Sequence, residues 1–177
     1  MRLTLTKQAE YALRILVWMA GSEARQRSDS RVPTRHKAAE IAAATDVPPV
    51  FATRVLALLQ RHGLLIARAG QQGGYVLGRR ADDVSLLEVI EAIEGPLVTR
   101  ECVLRDSLCG ADGYCLLHDA WSTARDALCA VLARTTLTST LDQPDGFQKH
   151  LAALAAIRAR GAPQTEVTGA MRAPAAN

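Results

Sequence analysis

Cys102, Cys109, Cys115 and His118 lie in one short stretch of the chain. Six residues separate the first two cysteines, five the next two, and two separate Cys115 from His118. Thiolates are soft ligands and imidazole suits iron and zinc alike, so this set reads as the ligand shell of a soft metal ion or an iron-sulfur cluster. Three thiolates and an imidazole would also close a tetrahedral zinc site. Zinc modules usually show a tight ligand pair at each end, and here only Cys115 and His118 are that close, so the spacing fits a cluster better than a structural zinc. A single nitrogen or oxygen ligand beside three thiolates leaves one iron weakly held. Oxidant, nitric oxide or iron shortage can act at such a corner. The fourth cysteine, Cys129, follows Leu128 on a helical run and is expected to be a packed thiol.

Other chemistries find little support. Four cysteines among 177 residues are too sparse for a disulfide scaffold. A thiol-redox or cluster-carrier enzyme would need a catalytic constellation, but the four histidines are scattered and there is no Ser-His-Asp set or Cys-x-x-Cys motif. The glycine-rich run from Gly70 to Gly74 lacks the Lys-Ser or Lys-Thr of a phosphate-cradling loop. No apolar run approaches the roughly 20 residues that span a bilayer, and the amino-terminal stretch soon meets Glu10 and Arg14 with no small-residue cleavage site. The expectation is a cytoplasmic protein that is not an enzyme and has no membrane partner.

Charge is distributed unevenly. Residues 1–80 carry 13 Lys and Arg against 5 Asp and Glu, a net of +8, and residues 81–177 carry 8 against 13, a net of −5, which together give the overall +3. A basic amino-terminal half is an electrostatic footprint for a polyanion, because neutralising phosphates releases condensed cations.

The elements that must position these groups follow from periodicity and punctuation. Leu5, Ala9, Ala12, Leu13, Leu16 and Met19 are spaced as one helical face, with Gly21 as the expected stop and residues 21–35 as a loop. Lys37 to Ala44 reads as a short second helix. Asp46-Val47-Pro48-Pro49 breaks it, and a third helix is expected from Pro49 to His62, stopped by Gly63. Two helices joined by a tight turn make a helix-turn-helix. Leu64 to Arg68 and Tyr75 to Leu77 then flank the glycine-rich tip as a hairpin, the wing of a winged helix. Ser85 and Glu88 form a capping-box pattern for a helix to Glu94, closed by Gly95-Pro96. After the cysteine loop a long helix is expected from Leu116 to about Thr136. Its seam of Leu117, Trp121, Ala124, Leu128 and Val131 suits packing along a partner helix in a homodimer, or along this chain's own first helix. A short helix over 146–160 and a disordered tail after Gly161 complete the reading.

The chain is thus expected to be mainly α with a small β-hairpin wing. Residues 1–80 form a winged helix-turn-helix DNA-binding domain. Residues 81–141 hold the connecting helix, the cluster-binding loop and the dimerisation helix, and 142–177 form a carboxy-terminal extension. Thr53 and Arg54 project from the start of the recognition helix, where arginine can read guanine through two hydrogen bonds. Val50 is expected to touch a thymine methyl and Phe51 to join the core. Arg68, Gln71 and Gln72 would set the wing on the minor groove or phosphates, with Arg2, Lys7, Arg79 and Arg80 as phosphate contacts on double-stranded DNA.

Taken in order, the helix-turn-helix, LLQRHGLLIARAGQQGGYVLGR, SLLEVIEAIEG, the three-cysteine loop and CLLHDAWSTARDALCAVLARTTL resemble the Rrf2 family of bacterial winged-helix transcription regulators, over residues 1 to about 141. The resemblance implies a homodimer on promoter DNA, most often a repressor, with Cys102, Cys109 and Cys115 holding an iron-sulfur cluster. His118 matches the ligand histidine of members of the IscR type. Glu10 matches the carboxylate that members of the nitric-oxide-sensing NsrR type supply from the partner's first helix. Both are present, so a 2Fe-2S and a 4Fe-4S cluster stay open. The interval between Cys102 and Cys109 is one residue longer than in either pattern. Ala69 stands where members commonly place a basic residue before the wing glycine, and Pro48 and Pro49 replace small polar residues, so a different operator is expected.

Overall fold

A computed structural model of the chain describes residues 4–26, 35–70, 72–97, 104 and 115–141. Helix α1 spans Lys7–Gln26, α2 Ala38–Ala44 and α3 Pro49–Arg61; strands β1 (Leu65–Arg68) and β2 (Gly74–Leu77) follow, then a single helical turn at Ala81–Asp83, α4 (Leu86–Glu94), α5 (His118–Arg134) and α6 (Leu137–Leu141). The fold is mainly helical with one two-stranded antiparallel sheet, whose register pairs Leu65 with Leu77 and Arg68 with Gly74.

The core is built where apolar spacing demands it. Ile15 and Leu16 of α1, Ile41 of α2, Val55, Leu56 and Leu59 of α3, Leu64 and Leu65 at the hairpin, Val89 of α4 and Leu137 of α6 are buried in one cluster. The break between α2 and α3 turns the chain through 113°, within the range of helix-turn-helix pairs. Asp46 takes a left-handed φ of 51° in that turn, a conformation a short polar side chain tolerates. Pro49 opens α3 at the first helical position, where its missing N–H breaks no helical hydrogen bond. Gly63, at φ 70°, ends the helix as expected.

Several boundaries differ from the sequence reading. Gly21 does not stop α1, which continues six residues past Ala20 to Gln26. A Cβ on Gly21 would lie 3.3 Å from Leu141 Cδ2, so close packing of α6 on α1 outweighs the helix penalty of about 1 kcal/mol for glycine. The capping box at Ser85 is half made. Ser85 Oγ accepts from the Glu88 amide at 3.2 Å, while the Glu88 carboxylate turns to Arg79. Helix α5 ends at Arg134, close to the expected Thr136, and α6 is an element the sequence reading did not include: Leu86 N–H donates to Thr135 O at 2.8 Å and Leu137 N–H to Val84 O at 3.0 Å, which brings the chain after α5 back to the body.

A third strand-like contact completes the wing. His36 and Tyr75 exchange backbone hydrogen bonds of 3.0 and 2.9 Å. Gly74 permits it: its φ is 146°, and a Cβ there would sit 2.7 Å from the His36 carbonyl oxygen. The imidazole of His36 is buried edge-on to Trp18, with ring centroids 4.7 Å apart. Its Nδ1 lies 2.8 Å from Glu40 Oε1 and its Nε2 3.0 Å from Ser22 Oγ. A carboxylate only accepts, so Nδ1 carries the proton. Through its imidazole and its backbone, this one residue thereby ties α1, α2 and the wing together.

Candidate functional site

Helix α3 buries Ala52, Val55, Leu56 and Leu59 and turns Val50, Phe51, Thr53, Arg54, Ala57 and Arg61 to solvent. At 3.6 residues per turn, Val50, Arg54, Ala57 and Arg61 form the ridge opposite the buried stripe. Thr53 and Arg54 therefore stand exposed, as the sequence indicated. The Thr53 hydroxyl, however, donates to Pro49 O at 3.0 Å within the helix, leaving its methyl group and lone pairs to face outward. Phe51 is not in the core. It is 48 % exposed and stands beside Tyr11, with ring centroids 6.0 Å apart, because Ala52 and Val55 already occupy the buried side of that turn.

The wing presents Arg68 and Gln72 to solvent. A groove of about 470 Å³ between the hairpin and the start of α2 is lined by Lys37, Arg68 and Tyr75 among others. Lys37 is thus an exposed cation beside the wing that the sequence reading did not single out. The basic run Arg35-His36-Lys37 was the available signal. The flanking basic residues are less free than expected. Arg79 pairs with Glu88 and Arg80 with Asp82, and Lys7 Nζ lies 2.7 Å from Glu10 Oε2. Arg2 and Gln71 lie outside the described residues.

Of the cluster candidates, Cys102 and Cys109 lie outside the described residues. Cys115 is buried, with 6 % of its surface accessible. Its carbonyl oxygen accepts the His118 N–H at 3.1 Å, which sets the thiol one turn before the first residue of α5. His118 is exposed. Among the described residues no group of three or more His, Cys, Asp or Glu side chains converges on a metal position. Glu10 is held within its own helix by Lys7 and by the buried Arg14. Burial alone would raise the Glu10 carboxyl; hydrogen bonds from Lys7 and Arg14 and their positive charges outweigh it and hold the group below its ordinary value. Arg14 Nε and Nη1 have no hydrogen-bond partner among the described residues. Cys115 thus offers a buried sulfur donor three residues before His118 in sequence, and Glu10 is an anionic oxygen donor already claimed by two cations.

Helix α5 packs on α4 inside the chain and leaves its seam open, with Leu117, Leu128 and Val131 at 39, 43 and 51 % exposure. Cys129 is buried, as expected for a packed thiol.

A helix-turn-helix with an exposed third helix, followed by a paired wing, defines a winged-helix DNA-binding regulator. Residues 5–143 match the Rrf2 family profile, described as "Iron-dependent Transcriptional regulator". The chain belongs to the Rrf2 family. It is 29 % identical to the HTH-type transcriptional regulator Rv1287 of Mycobacterium tuberculosis over 85 % of this chain and 88 % of that one. It is 31 % identical to the HTH-type transcriptional repressor NsrR of Streptomyces coelicolor over 80 % of this chain and 90 % of that one. The solved structure of CymR, the global cysteine regulator of Bacillus subtilis, shares the fold, with a TM-score of 0.63 at 24 % identity over 78 % of this chain and 95 % of that one.

Proposed function

We propose that this DNA-binding transcription regulator is a homodimeric repressor whose operator affinity is set by an iron-sulfur cluster. Cys102, Cys109 and Cys115 would hold the cluster, with His118 or Glu10 as the remaining ligand. The observation that carries the reading is the ligand spacing itself: three soft donors and an imidazole leading into the first turn of α5, with Cys115 buried and His118 beside it in sequence. Similarity to a repressor supports the direction of control.

When bound, the cluster would supply a redox-active and chemically labile centre. The chain's own residues do the rest. The stretch from Cys102 to Cys115 precedes α5 in sequence, and the open seam of α5 suits a second copy of the same helix. Cluster binding to that stretch would then bias how the two α3 helices are spaced. The coupling requires only that operator DNA bind the cluster-loaded and cluster-free states with different affinities. Similarity to CymR, the global cysteine regulator of Bacillus subtilis, favours a second reading, a winged-helix regulator with a structural zinc or no metal.

Anaerobic purification with a visible spectrum and iron, sulfide and zinc analysis separates the two. A brown protein with iron and sulfide that bleaches with nitric oxide or oxidant is expected. A colourless protein with one zinc per chain, or with no metal, would overturn the cluster reading and leave the DNA-binding half standing.

A further inference from the structure

The outward ridge of α3 has an unusual composition for a base-reading helix. Val50 is 67 % exposed, Ala57 is exposed, and between them stands Arg54. Thr53, the other polar residue of the first two turns, has already committed its hydroxyl proton to Pro49 O. Pro48 and Pro49 carry no N–H at all. The first two turns therefore present one strong side-chain hydrogen-bond donor, Arg54, flanked on the same ridge by two apolar groups.

The major groove offers matching chemistry. Guanine shows two acceptors that a guanidinium can engage together, and thymine shows a methyl group that valine or alanine can cover. Four residues of α-helix rise about 6 Å and three about 4.5 Å, and base pairs step by about 3.4 Å. Val50 and Ala57 therefore fall one to two base pairs on either side of the position read by Arg54. Phe51, exposed beside Tyr11, adds apolar surface next to Val50.

We infer that α3 reads a half-site in which one guanine, contacted by Arg54, is flanked by thymines recognised through their methyl groups, by Val50 on one side and Ala57 on the other. This inference rests on the DNA-binding reading and names its specificity. Discrimination comes from burying methyl groups on Val50 and Ala57, with the flanking positions carrying almost no hydrogen-bond readout.

The test starts from enrichment of random duplex DNA on the full-length protein, followed by binding to the enriched site with single thymines replaced by deoxyuridine. That exchange removes only the methyl group. Each thymine opposite the ridge should lose about fourfold in affinity, the worth of one buried methyl. In a Val50→Ser protein, which puts a polar hydroxyl where the two valine methyls stood, the penalty at one of those thymines should disappear while the penalty at the other remains. Val50 is largely exposed, so an unchanged melting curve is expected and confirms that the variant is folded. Enriched sites whose deoxyuridine versions bind as well as the thymine versions, or a penalty that Val50→Ser leaves intact, would overturn the inference while the DNA-binding reading stands. Failure to enrich any sequence would overturn both.

Discussion

At the scale of single residues, the ion-paired trio on α1 sets a definite pH dependence. Glu10 is partly buried between Lys7 and Arg14, and its carboxyl is held below the ordinary range. A group whose pKa is depressed on folding stabilises the fold above its unfolded pKa, and that contribution is lost as pH falls through the folded value. Glu10→Gln should therefore cost about 2 kcal/mol near neutrality, since it leaves the buried Arg14 guanidinium without its carboxylate. The difference from the parent protein should shrink as pH drops through the carboxylate range and the parent's own Glu10 is protonated. Urea unfolding at several pH values measures it; a pH-independent difference would show that the charge plays no part. On the DNA side, Arg54→Ala should cost about 1–3 kcal/mol and relax preference at one base pair. Arg68→Ala should weaken binding uniformly and reduce the slope of log affinity against log salt by about one.

The elements show where the sequence was legible and where it was not. The helix-turn-helix and wing could be read because their boundaries are local: Pro49 opens α3, Gly63 closes it, and the glycine run marks the hairpin tip. The long α5 and its seam were legible for the same reason, through spacing alone. Three features were not, and each is tertiary. Helix α1 passes through Gly21 because α6 packs against it, α6 exists because backbone groups around Thr136 pair with those around Ser85, and the wing's third contact depends on a histidine 39 residues before its partner Tyr75 (75 − 36). Phe51 was misplaced because an apolar residue on a helix was assigned inward, although the buried stripe of α3 is complete without it. Two substitutions test the wing's anchorage. Gly74→Ala should cost about 1–3 kcal/mol, because a Cβ meets the His36 carbonyl and the φ disfavours it. His36→Ala should cost a similar about 1–3 kcal/mol by leaving Ser22 and Glu40 without their buried partner. Both should speed amide exchange at Tyr75; unchanged exchange there would mean the wing does not depend on this bridge.

For the whole molecule, the division of charge sets a basic DNA-reading half against an acidic half that carries the open seam of α5. The basic amino-terminal half carries the exposed faces of α3 and the wing. The carboxy-terminal half carries the cysteines and a helix whose apolar seam is left exposed among the described residues. In the proposed dimer that seam meets its own copy, so Leu128→Asp combined with Val131→Asp should shift the sedimentation of the protein from dimer to monomer and weaken operator binding by at least tenfold. Because both side chains are about half exposed in the single chain, the fold itself should persist by circular dichroism; a variant that remains dimeric would place the contact elsewhere. The candidate ligands Cys102 and Cys109 stand out in the sequence by type and spacing but lie outside the described residues, and in the proposed dimer the choice between His118 and Glu10 would be set by how two chains meet, which one sequence does not encode locally.

The central claim is that cluster state and DNA affinity are linked, and one comparison addresses it directly. Operator affinity, at a single salt concentration and without oxygen, is measured for the iron-loaded protein, for the same protein after the cluster is removed, and for Cys109→Ala. The loaded protein should differ from the other two by at least about tenfold, a coupling of about 1.4 kcal/mol, and the stripped and variant proteins should agree with each other. Equal affinities in all three would contradict it.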